Sequence, residues 1–345
     1  MTLAVPVIDL SGPRSSVARA IDDALHTVGF MAVTGHGVDD DLVARMFAEV
    51  AAFFALPVED KLRVAPADPT TPRGYSYVGA TAQASAHDVA TRADLVETFN
   101  AGLDPVPDTP YHRAAAAFFP PSVWPAVPTG LRAVWGQYLA AMQDLAERIM
   151  GLMAEALGLD EDHFAPLIDR PMASITANHY PALDHEPPPD QVRGGAHTDY
   201  GSITLLATDG VPGLQLQDPD GSWAPTAAVP GAFHVNTGDM LSHWSGGHWR
   251  STWHRVVQPP GGPPYPERTS IAYFHSPNAD AEIAPLPGMS AVDFEPVLAG
   301  QYLRAKLDKY YAPRSGTDPS PRSGTDASPR SGTDPVASTL SDRVP

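Results

Sequence analysis

The stretch GGAHTDYGSITLLA, residues 194–207, sets His197 and Asp199 two positions apart, between glycines and ahead of an apolar run. Side chains at i and i+2 of a strand point to one face, so this imidazole and carboxylate can address one ion together. Gly194, Gly195 and Gly201 would let backbone or ligand come close. A metal site still needs a third ligand. The candidates are His234, His243, His248, His254 and His275, and spacing alone does not choose among them. Local pattern favours His254, which begins HRVVQP, a run leaving a glycine-rich turn for a β-branched strand. His243 and His248 flank WSGG, which reads as a turn carrying solvated histidines.

The chain has no cysteine, which excludes disulfides, iron–sulfur clusters, cysteine-liganded zinc and a cysteine nucleophile. Any metal must then be held by His, Asp or Glu. Two histidines and one carboxylate on a barrel form the facial arrangement of non-haem Fe(II) sites, which leaves positions for a bidentate co-substrate and dioxygen. Zinc accepts the same donors. The three ligands alone therefore leave oxidation and hydrolysis open, although no general base for hydrolysis is evident beside them.

Two further pairs bear on that choice. ERTSIAYFHSP places Arg268 and Ser270 two apart, and the planar guanidinium with the hydroxyl suits a carboxylate. ANHYP places Asn178 and Tyr180 two apart, offering an amide and a phenol on one face. Taken singly, Arg268 reads as a surface ion pair and Tyr180 as a core aromatic. Their alignment with the metal pair on successive strands points to a site.

The elements that must position these residues fall into two halves. Val17, Ile21, Leu25 and Val28 recur at helical spacing behind Ser15 and Ser16, which are expected to cap that helix. GFMAVTGHGV reads as a strand ending in a glycine turn. DDDLVARMFAEVAAFFALP reads as an amphipathic helix stopped by Pro57. The longest helical pattern, about Leu131 to Leu157, keeps Trp135, Leu139, Met142, Leu145, Ile149 and Met153 on one side and is core. After Pro171 the period changes to two: SITANHYP, SITLLA, GLQLQ, AFHVN and TSIAYFHSP are short strands between turns, with DPDG a hairpin signal. The expectation is an α-rich N-terminal part packed on a C-terminal β-barrel or sandwich.

From Pro313 an eight-residue repeat, PRSGTDPS, has no apolar face and is expected to be a disordered tail. Its Arg and Asp charges cancel, so the formal net charge of −18 belongs to residues 1–312. That acidity argues against nucleic acid or an anionic membrane as partner. The N-terminus lacks a secretory pattern and no apolar run spans a bilayer, so a cytoplasmic location is expected.

HTDYGSITLL, PGLQLQ, GDML, STWHRVV and RTSIAYF, in this order, resemble the isopenicillin N synthase-like family of Fe(II)- and 2-oxoglutarate-dependent dioxygenases. VPVIDLSG, GFMAVTGHGV, RGYSYVGA and DLVETFNAG look like that family's N-terminal region, and QYLRAKLDKYY like its closing helix. The resemblance covers about residues 5–312. It implies an α+β fold, a double-stranded β-helix (jelly-roll) core with flanking N-terminal helices. The implied division is a helical N-terminal region over 1–165, the dioxygenase jelly roll over 166–312, and the repeat tail over 313–345.

Carried over by position, the resemblance implies that His197, Asp199 and His254 bind iron and carry catalysis. Arg268 and Ser270 would hold the distal carboxylate of 2-oxoglutarate, helped by Tyr180 and Asn178. Plant members usually continue the Asn-x-Tyr-Pro segment with Cys-Pro, which NHYPALDHEPP lacks. The implied enzyme is a non-haem iron oxidoreductase using Fe(II), 2-oxoglutarate and O2, with ascorbate a candidate stimulant. It would hydroxylate, desaturate or cyclise a small molecule of secondary metabolism and release succinate and CO2. Isopenicillin N synthase and the amino-cyclopropane carboxylate oxidases need no 2-oxoglutarate, and an ethylene-forming 2-oxoglutarate enzyme is a further alternative. The substrate and oligomeric state stay open. Arg73, Tyr75 and Tyr77 in PRGYSYVG are candidates for the mouth of the site.

Overall fold

The structure is a computed structural model that describes residues 5–89, 91–289 and 294–311. The repeat tail lies outside the described residues. Helices run, in chain order, α1 (Arg14–Thr27), α2 (Asp40–Phe54), α3 (Val58–Leu62), α4 (Pro110–Ala114), α5 (Leu131–Ala156), α6 (Ala165–Ile168), α7 (Asp239–Trp244) and α8 (Ala299–Tyr310). The strands that matter to the site form two sheets.

The larger sheet has eight strands. Its first half by sequence is β1 (Val7–Asp9), β2 (Phe30–Thr34), β3 (Gly74–Ser76) and β4 (Glu97–Gly102). β5 (Ser174–Tyr180) joins them, followed by the four-residue β6 (Gly194–His197), which belongs to the other sheet, and β7 (Ile203–Thr208). After β8 (Leu214–Gln217) and β9 (Trp223–Pro225) come β10 (Phe233–Thr237), β11 (His254–Val256) and β12 (Arg268–His275). The large sheet is ordered β1-β2-β10-β7-β12-β5-β4-β3, and the small one β6-β11-β8-β9. Apart from the parallel β1–β2 pair, the pairings within these two sheets are antiparallel. The DPDG turn joins β8 to β9, as its sequence predicts, with Gly221 N–H donating to Asp218 O at 2.9 Å.

The core lies between α5 and the large sheet. On α5, Trp135, Tyr138, Met142, Leu145, Ile149 and Met153 recur every three or four residues, and all are buried. Opposite them stand Ile175 and Ala177 of β5, Leu205 of β7, Val235 of β10 and Ile271 and Tyr273 of β12, each 0% exposed. Burying such side chains contributes about 1.5–3 kcal/mol apiece. Strand alternation then sends Thr176 and Asn178 of β5 to the other face of the sheet. That face is the floor of the site.

Two expectations change. Ser15 and Ser16 do not cap α1. The helix begins at Arg14 behind Pro13, with no side-chain cap bond, because a proline ahead of the first turn already sets the chain direction. α2, by contrast, is side-chain capped by Asp39, whose carboxylate accepts from Asp41 N–H at 2.9 Å. The N-terminal part is also more than a helical layer. It supplies β1–β4 to the large sheet, where β2 pairs with β10 and β4 with β5.

Candidate active site

The two histidine ligand candidates are cross-strand partners. On the small sheet, His254 of β11 lies opposite His197 of β6, and their ring centroids are 4.2 Å apart. β6 ends at His197, so Asp199 stands on the link to β7 rather than on the strand. Its carboxylate nevertheless meets both rings: Oδ1 is 3.8 Å from His197 Nε2 and 3.9 Å from His254 Nε2. One donor atom from each of the three lies within 4.8 Å of the others, the single such group of metal-ligating side chains among the described residues. Two imidazoles and one carboxylate suit Fe(II).

Hydrogen bonds fix the ring orientations. His197 Nδ1–H donates to Gly195 O at 2.8 Å and His254 Nδ1–H to Thr252 O at 3.1 Å, which leaves both Nε2 lone pairs facing Asp199. Burial pushes the His197 pKa down to about 3, helped by the neighbouring His254, so its ring is neutral and able to ligate. Burial alone would raise the Asp199 carboxyl. His254, His197 and the hydrogen bonds from Thr204 and Asn236 outweigh it and hold the carboxyl below its ordinary range. Asn236 of β10 donates Nδ2–H to Asp199 Oδ2 at 2.7 Å, so Oδ1 is the oxygen left to face the histidines. Phe30 of β2 meets the His254 ring edge-on at 5.3 Å.

The other histidines are occupied elsewhere. His234 is buried on β10, with Nε2 3.3 Å from Ala227 O. His275 is buried against the Ser202 hydroxyl at 2.6 Å. His243 is not on the turn, whereas His248 directly follows it with its side chain 38% exposed. His243 sits on α7 stacked on Phe294 at 3.6 Å, and His248 Nε2 bonds Asp22 at 2.7 Å. The tryptophans around WSGG pull this segment onto the core, Trp244 and Trp249 being 1% and 0% exposed.

The carboxylate-binding candidates are in register on the large sheet: Arg268 faces Tyr180 and Ser270 faces Asn178 across β12 and β5. Arg268 is 1% exposed, which excludes the surface ion pair. Its Nη1–H donates to Ser270 Oγ at 3.0 Å, its Nε–H to Val211 O at 3.2 Å, and its guanidinium lies 5.0 Å from the Tyr180 ring. Burial raises the Tyr180 pKa, so the phenol keeps its proton. Tyr180 packs with Val256 of β11 and Val96, tying this corner to the strand that carries His254.

Asn178, His197 and Asp199 open on one cavity of about 180 Å3. Its walls include Arg73, Ser76, Thr98, Asn100, Thr176 and Tyr200, with Leu303, Leu307, Tyr310 and Tyr311 from α8 and the residue after it. Of the PRGYSYVG candidates only Arg73 reaches this wall. Tyr75 is core, its hydroxyl donating to Glu97 at 2.6 Å, and Tyr77 packs on the core. Two glycines of the opening motif meet protein backbone: a Cβ on Gly201 would strike His275 O and Ser276 Oγ, and one on Gly195 would lie 3.1 Å from Ala84 N. Sequence reasoning missed Asn236, although its NTGDML context was visible, and Arg193. Arg193 is 0% exposed and donates Nη2–H to Pro266 O at 2.5 Å and Pro181 O at 3.4 Å, bracing the chain beside β5 and β12.

Comparison with known proteins agrees with this geometry. The family described as non-haem dioxygenase in morphine synthesis N-terminal matches residues 5–127, and the 2OG-Fe(II) oxygenase superfamily matches residues 172–277. Validamycin A dioxygenase of Streptomyces hygroscopicus subsp. limoneus is 35% identical over 301 residues, covering 83% of this chain and 80% of that protein. The chain belongs to the 2OG-Fe(II) oxygenase superfamily. Proline hydroxylase buaE of Petromyces alliaceus is 31% identical to this oxygenase, over 87% of this chain and 95% of its own. A full-length Neurospora crassa protein, crystallised in complex with alpha-KG and thymine, matches the oxygenase with a TM-score of 0.77 at 33% identity, covering 88% of this chain and 96% of that one. The fold is the double-stranded β-helix of this superfamily, and the protein is an Fe(II)- and 2-oxoglutarate-dependent dioxygenase, an oxidoreductase.

Proposed function

We propose that this dioxygenase holds Fe(II) through His197, Asp199 and His254, and receives 2-oxoglutarate on Arg268 and Ser270, with Tyr180 and Asn178 assisting. The supporting observation is the convergence of three donor atoms within 4.8 Å, both imidazoles having their Nδ1–H groups engaged by backbone carbonyls. When bound, Fe(II) with 2-oxoglutarate and dioxygen supplies the oxidising power, and the co-substrate leaves as succinate and CO2.

The chain's own part is placement. Gly195 O and Thr252 O lock the imidazoles, and Asn236 engages the outer oxygen of Asp199. Arg268 brings a buried cation that forms no ion pair among the described residues, which suits the distal carboxylate of the co-substrate. Tyr180 remains a neutral phenol able to donate, and Asn178 stands where the clamp meets the cavity. The substrate is a small molecule entering the cavity that α8 helps to wall. Residues 1–165 form the N-terminal region that completes this pocket, and 166–312 the catalytic jelly roll. No helix among the described residues is long and apolar enough to cross a membrane; the cytoplasm is the proposed location.

Anaerobic titration with Fe(II), with and without 2-oxoglutarate, tests the reading. A visible charge-transfer band that needs both components, and that fails in His254→Ala, is expected. Iron binding without any band would favour an oxidase that uses no 2-oxoglutarate, because the Arg268–Ser270 pair can equally hold a substrate carboxylate.

A further inference from the structure

The substrate wall of the cavity holds one charge whose partner is missing. Arg73 is 4% exposed and is the only Lys or Arg among the cavity's lining residues. Its Nη1–H groups donate to Pro72 O at 2.7 Å and Asn100 Oδ1 at 3.1 Å, and Nη2–H to Phe118 O at 3.4 Å. Its Nε is buried and unbonded. No carboxylate forms an ion pair with it among the described residues. Burial lowers its pKa to about 10, which still leaves it a cation at neutral pH. The guanidinium lies flush on the bare backbone of Gly102, where a Cβ would strike it.

An enclosed cation held only by neutral acceptors is costly, and a charge-assisted bond to an anion offsets that cost. A polar track leads away from Arg73 along the floor. Asn100 of β4 accepts from Arg73 and donates Nδ2–H to Thr176 Oγ1 of β5 at 2.7 Å, and Thr98, Thr176 and Asn178 line the same cavity as His197 and Asp199. Arg268, on β12, does not line this cavity and belongs to the co-substrate corner, so the two buried cations stand at separate places.

We propose that Arg73, with Asn100 and Thr176, is the docking point for a carboxylate on the molecule this dioxygenase oxidises. The inference rests on the oxygenase reading of His197, Asp199 and His254. It makes the substrate a small organic acid, anchored by its acid group at Arg73 with its oxidised carbon directed toward the metal ligands.

The test uses the full chain loaded anaerobically with Fe(II) and 2-oxoglutarate. Matched carboxylic acids and their primary amides, such as phenylacetate with phenylacetamide and L-proline with L-prolinamide, are titrated calorimetrically across a panel of such pairs at millimolar concentration. At least one acid is expected to bind about ten- to a hundredfold more tightly than its amide. Arg73→Gln should erase that preference and Arg73→Lys keep part of it. Asn100→Asp, which gives Arg73 a carboxylate of its own, should also erase it. Thermal melts and the charge-transfer band identify folded, loaded variants, and if Arg73→Gln does not fold, Asn100→Asp decides. The proposal is overturned if the wild type binds no acid in preference to its amide, or if folded Arg73→Gln or Asn100→Asp keeps the preference. Loss of the band in the wild type would instead overturn the co-substrate reading, so the two failures are distinguishable.

Discussion

The two sheets divide the labour unequally. The large sheet faces α5 and carries the bulk of the hydrophobic core, while the small sheet contributes Leu214 and Leu216 to a minor cluster with Phe30 and Val256 to another with Val96 and Tyr180. Yet the small sheet presents both histidines, as a single cross-strand pair at its β6–β11 edge. The large sheet presents Arg268, Ser270, Tyr180 and Asn178 as two adjacent pairs. The proposed metal and co-substrate positions are therefore set by different sheets, and their separation depends on how the sheets pack face to face. Tyr180 against Val256 is one contact that sets it. Stability resides mainly in one layer and metal chemistry in the other.

Substitutions can break this contrast in graded ways. The largest effect is expected from Asp199→Ala or His197→Ala: turnover falls to background and Fe(II) binding is lost, while circular dichroism and the melting curve stay near wild type. A cooperative loss of fold in either variant would show that the small sheet is structural as well. Ile175→Ala, on the core face of the large sheet, should do the reverse. It is expected to cost about 2–5 kcal/mol of stability in denaturant titration, with the Fe(II)/2-oxoglutarate band preserved where the protein is folded.

Arg268→Ala sharpens the contrast, because Arg268 lies on the stable sheet but is proposed to hold the co-substrate. The 2-oxoglutarate dissociation constant should rise by about a hundredfold, with Fe(II) affinity measured alone unchanged. Asn236→Ala should weaken Fe(II) by about tenfold, since Asp199 would lose the bond that fixes its outer oxygen.

The smallest effect on the metal site belongs to Glu97, on β4 of the large sheet, bonded to Lys61 at 2.7 Å, His179 at 2.8 Å and Tyr75 at 2.6 Å. Burial would raise its pKa, but these three donors more than compensate and the carboxyl is held low. A carboxyl depressed by folding contributes stability above its unfolded pKa, near 4.5, and loses it as pH falls through the folded value. Glu97→Gln should therefore flatten the acid limb of the stability–pH curve and leave iron binding at neutral pH untouched.

The sequence foretold some parts of this molecule better than others, for physical reasons. Period-two patterns in SITANHYP and TSIAYFHSP located β5 and β12, because one face of each strand is buried against α5. His254 could be preferred over four rivals because its run leaves a turn for a β-branched strand, whereas the rivals' partners, such as Phe294 for His243 and Asp22 for His248, lie far away in sequence. Ser15 and Ser16 misled because capping depends on where the helix starts, and Pro13 moved that start. Arg73 was legible only as a candidate for the mouth of the site, and NTGDML did not mark Asn236 as the partner of Asp199. Each acts through neighbours on other strands, and only the folded sheet brings those neighbours together.

The helix α8 carries a consequence for handling this enzyme. Lys306 on it reaches Asp239 of α7 at 3.0 Å, Lys309 reaches Asp88 at 2.6 Å, and Leu303, Leu307 and Tyr310 line the substrate cavity. A cut before residue 299 would spare every proposed metal and co-substrate ligand, yet it would strip one wall from the chamber. Such a shortened chain should still take up iron and 2-oxoglutarate while consuming the co-substrate without oxidising anything useful. For anyone trimming this protein, α8 is a stretch unsafe to disturb.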